Sequence, residues 1–307
     1  MTKMSASGTD EAADRLAALQ QRLGELRPRL HRYCARMTGS VIDAEDVVQD
    51  TCIKAIDALD EGTAVSHAEA WLFRIAHHAA LDFLRRRNRL AGFEAEADLE
   101  LIADPVMATE ERQSVSASLR TFMRLPVLPR SCVILMDVLG YSLQEITAIT
   151  QSSLPAVKAA LHRGRASLKQ WAADAEDRPL PILPQAERDR LAVYIERFNA
   201  RDFDAIREML ADDVKLDLVG RMHLQGKEVG RYFSNYDRLN DWHLNLGFVE
   251  QRLAILVTPP PMASLTTEPQ LPIYFVLLEW KDGKLTNIRD FYHGRYALAD
   301  AEWAYLP

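Results

Sequence analysis

The stretch GYSLQEITAITQSSLPAVKAALHRGRASL, Gly140 to Leu168, decides how the middle of this chain folds. Ser142 followed three positions later by Glu145 has the spacing of a capping box. Each side chain there satisfies a backbone N–H at the start of a helix, and the cap contributes about 1 kcal/mol. A short helix through Ile149 follows, then a polar turn at Gln151 to Ser153. Pro155 next suits the first turn of a second helix, where its missing N–H would have no partner. In that second helix Val157, Leu161, Gly164 and Leu168 form one row at i, i+4, i+7 and i+11, and Lys158, His162, Arg165 and Lys169 form the adjacent row. One row can pack while its neighbour meets an anion. Short helix, tight turn and amphipathic basic helix together are the form of a helix-turn-helix, whose second helix enters the DNA major groove. Ser153, Lys158 and Arg163 are expected near base edges or adjacent phosphates, with His162 on the same face, and Arg165 and Lys169 at phosphates. Four phosphate contacts correspond to a log–log salt slope of about −4.

This basic helix belongs to an acidic protein. The 307 residues carry 37 Lys and Arg against 44 Asp and Glu, a net charge of −7 and a pI near 5.7. Charge is laid out in blocks: Trp71 to Leu90 has five arginines against Asp82 alone, and Ala91 to Glu111 has seven acids and no base. With 48% hydrophobic residues the chain can bury ordinary cores, and its length suits two or three domains. No segment approaches the roughly 20 apolar residues that cross a bilayer, so a cytoplasmic protein without a membrane anchor is expected. Cys34, Cys52 and Cys132 lack metal-site or disulfide spacing. His77 and His78 point about 100° apart on a helix and cannot chelate together. No metal and no cofactor are expected.

Changes of style along the chain set the domain boundaries. Residues 1–14 are small and polar and read as a disordered tail; 15–90 show helical periodicity; 91–112 form an acidic linker; 113–171 are a second helical unit. Residues 172–185, with Pro179, Pro181 and Pro184, form a semi-rigid connector. From 186 onward helices precede strands: VKLDLV alternates with period two, KEVGRYFSNYDRL is helical, and RLAILVTPPP, LPIYFVLLEW and LTNIRDFY read as strands, with DGK as a turn. The expected fold class is multidomain: two all-α domains, the second with the helix-turn-helix, then an α+β domain of about 120 residues.

Three further segments carry a resemblance. DAEDVVQDTCIKA (Asp43–Ala55), AEAWLFRIAHHAALDFLRRR (Ala68–Arg87) and LPRSCVILMDVLGYSLQEITAITQSSLPAVKAALHRGRASLK (Leu128–Lys169) stand in the order and at the separations of a bacterial RNA polymerase sigma factor. Residues 15–171 resemble the extracytoplasmic-function group of the sigma-seventy family. The resemblance implies that 15–90 is region 2 and 113–171 region 4, and that Asp43, Glu45, Asp46, Gln49 and Asp50 bind core polymerase. Clustered carboxylates on one helix do suit an arginine-rich partner. It implies that Trp71, Arg74, His77, His78, Arg85, Arg86 and Arg87 open and read the minus-ten element, and that the basic helix reads the minus-thirty-five element. Stacking returns about 1–3 kcal/mol per base against the cost of extruding it. The acidic linker would thread the polymerase channels. Two positions depart from the family: Gln151 stands where Gly is usual, and Pro155 is uncommon at its place.

The sequence from about Ala186, with YIERFNARDFDAIREMLADDVKLDLVG, resembles the SnoaL-like, nuclear-transport-factor-two-like cone fold, which implies a curved antiparallel sheet enclosing a pocket. Candidate pocket residues by strand position are Asp217, His243, Asp290, Tyr292 and His293. The resemblance implies that this domain modulates sigma activity from within the chain, in contact with the helical domains and with a small molecule as a further partner. Promoter DNA and core RNA polymerase are the principal expected partners. Two alternatives remain: a helix-turn-helix regulator acting without polymerase, and an isomerase- or hydrolase-like activity in the C-terminal domain.

Overall fold

The structure is a computed structural model, and it describes residues 6–63, 65, 67–90, 118–171, 184–260 and 270–306, with side chains from residue 14. The acidic linker and most of the proline connector lie outside these residues. The chain divides into two compact units, one all-helical and one built on a sheet.

The helical unit holds α1 (Ala6–Thr38), α2 (Val41–Asp60), α3 (Ala68–Leu90), α4 (Leu119–Met123), α5 (Val127–Val133), α6 (Leu143–Thr150) and α7 (Leu154–Trp171). α1 begins at Ala6, within the stretch read as a tail, where alanines and few β-branched residues favour helix over coil. It ends at Gly39, whose φ of +79° suits glycine; a Cβ there would also lie 2.5 Å from Met123 Cγ. The Ser40 side chain then caps α2 by accepting from the Asp43 N–H at 3.1 Å. Leu30, Tyr33, Met37, Ile42, Val48, Phe73 and Ala76 form the buried seam of α1–α3. Between α5 and α6 the backbone makes a π-helical turn, Ile134–Val138, in which the Leu139 N–H bonds to the Ile134 carbonyl. The predicted packing row of α7 is buried throughout, and Gly164 lets α7 close on α5: a Cβ there would stand 2.6 Å from Val133 Cγ2.

The second unit contains α8 (Gln185–Asn199), α9 (Phe203–Met209), β1 (Leu210–Leu218), β2 (Met222–Gln225), α10 (Gly230–Arg238), β3 (His243–Val249), β4 (Arg252–Thr258), β5 (Tyr274–Lys281), β6 (Lys284–Asp290) and β7 (Trp303–Tyr305). It forms an open, curved seven-stranded sheet, in the order β2-β1-β6-β5-β4-β3-β7, of the expected cone-fold type. Every neighbouring pair is antiparallel except β1–β6, which is parallel, so the expected antiparallel sheet carries one parallel pair. Asp282 and Gly283, both at positive φ, make the expected two-residue turn between β5 and β6. Tyr194, Phe198, Phe233, Tyr236 and Trp242 fill the core on one sheet face. On the other, Phe275 and Phe291 stack with centroids 4.0 Å apart. Among the described residues, no helix is long and apolar enough to cross a membrane.

Candidate functional sites

The helix-turn-helix is built as its sequence spacing predicts. Ser142 N–H donates to Glu145 Oε2 at 2.8 Å and the Glu145 N–H donates back to Ser142 Oγ at 3.4 Å. Hydrogen bonds from the Ser142 side chain, then its backbone, hold the Glu145 carboxyl below its ordinary pKa. Gln151 ends α6 in the left-handed conformation, φ 55° and ψ 32°. Ser153 caps α7 by accepting from the Ala156 N–H at 3.4 Å. From α7 project Lys158, His162 and Lys169, all exposed, with Arg163 half-buried beside them. Arg165 departs from its expected place at DNA phosphates. Its Nε donates at 3.0 Å to one oxygen of Asp137, whose side chain is fully buried in the π turn, and Nη2 takes the other oxygen. A bidentate pair on a buried carboxylate ties that guanidinium into the packing of α7.

On α2, Glu45 is 2% exposed and ion-paired to Arg27 of α1, so its carboxylate faces the interior and not a partner. Asp46 is exposed, Gln49 and Asp50 are half-exposed, and Asp50 pairs with Lys54 at 3.0 Å. Asp43 lies in the first turn, 3.8 Å from Arg87, which also donates to the Thr38 carbonyl at 2.8 Å. Ile53 joins the outer stripe of α2 with 51% of its surface exposed. It was missed from the sequence, although an isoleucine four residues beyond Gln49 on a polar face is the signal that would have found it.

On α3 the two histidines part company. His77 is buried, its Nδ1 hydrogen-bonded to Tyr33 Oη at 2.7 Å, and burial first, then His78, pushes its pKa down to about 4. A neutral interior imidazole offers no cation to DNA, which corrects its placement among the minus-ten residues. His78 is exposed and donates from Nδ1 to the Arg74 carbonyl at 2.8 Å. Arg85 and Arg86 are exposed, and Arg85 reaches Asp82 at 3.2 Å. Trp71 and Arg74, half-buried, line a groove of about 750 Å³ with Arg22 of α1 and Gln144, Glu145 and Ala148 of α6.

That groove exists because the two helical domains are packed together. Glu69 accepts from Arg22 at 3.1 Å and from Tyr141 Oη at 2.7 Å, and pairs with Arg29. Arg29 donates in turn to the Leu139 carbonyl at 3.2 Å, with its guanidinium 5.1 Å from the Tyr141 ring centre. Arg130 of α5 is buried and holds only main-chain oxygens and a sulfur: Met37 O at 2.8 Å, Leu125 O at 2.7 Å, Met123 O at 3.2 Å and Met123 Sδ at 3.3 Å. Burial lowers its pKa to about 10. Glu69, Tyr141 and Arg130 bridge segments 70 or more residues apart, a relation that sequence spacing does not reveal.

In the second unit the five candidate pocket residues do not converge. Asp217 and Arg289 face each other on β1 and β6, with the carboxylate 3.2 Å from Arg289 Nε and 3.3 Å from His223 Nδ1. Asp290, one position on, faces the opposite side, with Ile288 and Leu216. It is fully buried and accepts from Tyr232 Oη at 2.7 Å, Tyr236 Oη at 2.8 Å and the Tyr292 N–H at 2.7 Å, while Tyr236 and Tyr274 hydroxyls meet at 3.1 Å. Burial raises the Asp290 pKa against the opposing pull of those phenols. The Tyr292 ring lies against Tyr274 and Arg295, His293 is exposed, and the His243 carbonyl accepts from Thr258 at the start of β3. Tyr232, Tyr236 and Tyr274 were missed; KEVGRYFSNYDRL gave only a helix, with nothing to say that two of its tyrosines meet a strand 50 residues later. The enclosed space beside them, about 10 Å³, is close to what a single water needs.

Comparison with known proteins agrees with this architecture. The Sigma-70 region 2 family matches residues 23–90 and the Sigma-70, region 4 family residues 119–168. The ECF RNA polymerase sigma factor SigG of Mycobacterium tuberculosis is 31% identical over 229 residues, covering 66% of this chain and 62% of SigG, so the chain spans less than two thirds of that relative. SigD of the same organism, also an ECF RNA polymerase sigma factor, is 33% identical over 171 residues, covering 52% of this chain and 79% of SigD. Among solved structures, the M. tuberculosis extracytoplasmic function sigma factor SigJ is 18% identical, covering 88% of this chain and 95% of SigJ at a TM-score of 0.35. With both regions matched in order, and 33% identity over most of SigD, the chain belongs to the ECF RNA polymerase sigma factors.

Proposed function

We propose that this protein directs RNA polymerase to specific promoters, binding core polymerase through Asp43, Asp46, Gln49 and Asp50 of α2, the minus-ten strand through α3 and the minus-thirty-five element through α7. The observation that carries the reading is the exposed row Lys158, His162 and Lys169 on a capped second helix, in a chain whose region 2 and region 4 matches stand in order. Local cations in a protein of net charge −7 disfavour stray DNA binding and act once polymerase has positioned them. Trp71, Arg74, His78, Arg85, Arg86 and Arg87 supply the mixture of stacking surface and positive charge that strand opening needs. The C-terminal domain modulates this activity from within the chain. Its candidate polar residues lie on two sides of one sheet, and that dispersal favours modulation over catalysis.

The packed helical unit is the resting form under this proposal. The two promoter elements are about 25 base pairs apart by their names, roughly 85 Å of B-DNA at about 3.4 Å per base pair. A compact unit of this size is about 40 Å across. Contact with both elements therefore needs regions 2 and 4 to part at the Glu69–Tyr141 and Arg130 contacts. The deciding experiment is transcription by core polymerase with and without this protein on a pool of genomic fragments, with start sites mapped. New start sites sharing two spaced elements are expected; unchanged start sites reject the function. Chains ending after Trp171 are expected to give altered output, and equal output rejects modulation by the second unit.

A further inference from the structure

The 750 Å³ groove between α3 and α6 falls within the range of small-molecule sites, about 300–1,000 Å³. Its walls come from both helical domains, so neither domain alone contains it. One wall carries the half-buried Trp71 indole and, one helical turn on, the Arg74 guanidinium; Arg22 also lines it from α1, with its guanidinium shared between Glu25 and Glu69 at 3.1 Å each. The opposite wall is the exposed face of α6, where Gln144 and Ala148 are one turn apart.

Charge sets the chemistry of the occupant. Two carboxylates also reach the groove, but both are already supplied with donors: Glu69 by Arg22, Arg29 and Tyr141, Glu145 by the Ser142 hydroxyl and N–H. Arg74 has no ion-pair partner among the described residues. The groove thus joins an aromatic face, a guanidinium with no ion-pair partner among the described residues and a side-chain amide. The geometry points to a two-walled site for an anionic planar molecule of nucleotide size, its base stacked on Trp71 and its phosphates on Arg74, with Gln144 reading the base edge. Because the site exists only while the two domains are packed, the ligand holds them closed. The inhibition of transcription that follows from this rests on the proposed function; the binding itself does not.

The probes are ATP, GTP, adenosine and pyrophosphate, titrated calorimetrically into the full-length chain. Nucleoside triphosphates are expected to bind, and adenosine or pyrophosphate alone more weakly. Trp71→Leu is expected to weaken binding about 5- to 150-fold, the range of base–aromatic stacking. Arg74→Ala should weaken it at least about 10-fold through loss of a charge-assisted bond. Ala148→Trp is the second test, since it fills the groove from an exposed position of α6 and leaves every polar group in place. It should abolish nucleotide binding while the holoenzyme still opens promoters. Absence of binding at millimolar nucleotide, pyrophosphate binding as tightly as ATP, or undiminished binding to Ala148→Trp overturns the proposal. The last outcome would assign the nucleotide to α3 alone, as a surrogate for a promoter base. Transcription without nucleotide tests the proposed function separately, so the two can fail independently.

Discussion

The two units handle polar chemistry in opposite ways. In the helical unit the groups with prospective partners stand on the surface, Lys158 and Lys169 on α7 and Asp46 on α2, while two carboxylates turned inward are paired, Glu45 to Arg27 and Asp137 to Arg165. In the sheet unit a concentrated polar cluster is wholly interior: one carboxyl group, Asp290, held by two phenols and a backbone N–H. The difference teaches where stability and recognition can be separated. At Lys158 of α7 a charge can be removed with little cost to folding, whereas loss of the Asp290 carboxyl leaves buried partners unsatisfied.

The largest expected effect tests that contrast directly. Asp290→Ala orphans the Tyr232 hydroxyl and the Tyr292 N–H, leaves the Tyr236 hydroxyl only Tyr274, and opens a void, and should destabilise the sheet unit by about 3–5 kcal/mol, read as loss of near-ultraviolet dichroism from its aromatic core. Asp290→Asn keeps an acceptor for the Tyr292 N–H and should cost less. Burial raises the Asp290 pKa, so the folded state binds its proton more tightly than the unfolded chain does. Its contribution to stability is therefore greatest below the ordinary carboxylate range and falls as pH rises through the raised value. Asp290→Asn should remove that slope; an unchanged slope would assign it to another group.

The helical unit has a pH dependence of the opposite sense. His77 titrates at about 4 when folded and near 6.5 when unfolded, so the unfolded chain takes up the proton first as pH falls. Stability is complete above pH 6.5 and declines by about 3 kcal/mol toward pH 4, following about 1.4 kcal/mol per unit. Urea unfolding followed by helix dichroism at 222 nm should show this decline. His77→Gln, which cannot take up that proton, should flatten it.

How much of this was legible in the sequence follows from the range of each interaction. The cap at Ser142, the packing row of α7 and the Asp282–Gly283 turn are local patterns with fixed periods, and the structure reproduces them. The strand His243–Val249 was missed, since its alternation is interrupted by Gly247, kept small by contact with Leu256 and the Ala304 carbonyl from neighbouring strands. Arg165 and His77 were read as outward cations because spacing gives a face and not what lies across from it; Asp137 and Tyr33 are 28 and 44 residues away. The Asp290 carboxylate could be placed on a strand, yet its two phenol donors, Tyr232 and Tyr236, could not, since their meeting depends on how α10 crosses the sheet.

A smaller effect separates two positions of the basic row of α7, Lys158 and Arg165. Lys158→Ala should weaken promoter binding by about 1 kcal/mol and reduce the magnitude of the salt slope by about 1, with folding unchanged. Arg165→Ala should instead destabilise region 4, since it leaves the Asp137 carboxylate buried without its partner. If both substitutions changed only the salt slope, the interior assignment of Arg165 would fail.

The smallest expected effect lies in the turn. Gln151 holds φ 55°, where an L side chain crowds its own carbonyl and glycine does not. Gln151→Gly relieves that crowding and also gives the unfolded chain more freedom, so the two terms oppose. The crowding term, about 1–2 kcal/mol, exceeds the entropic one of about 0.5–1 kcal/mol, leaving a net gain of roughly 0.5–1 kcal/mol for the folded state. Thermal unfolding of the full chain should show the transition that carries α6 and α7 moving up by a few degrees, with minus-thirty-five binding unchanged. A shift downward would mean that the Gln151 side chain makes a stabilising contact worth more than its strained backbone costs.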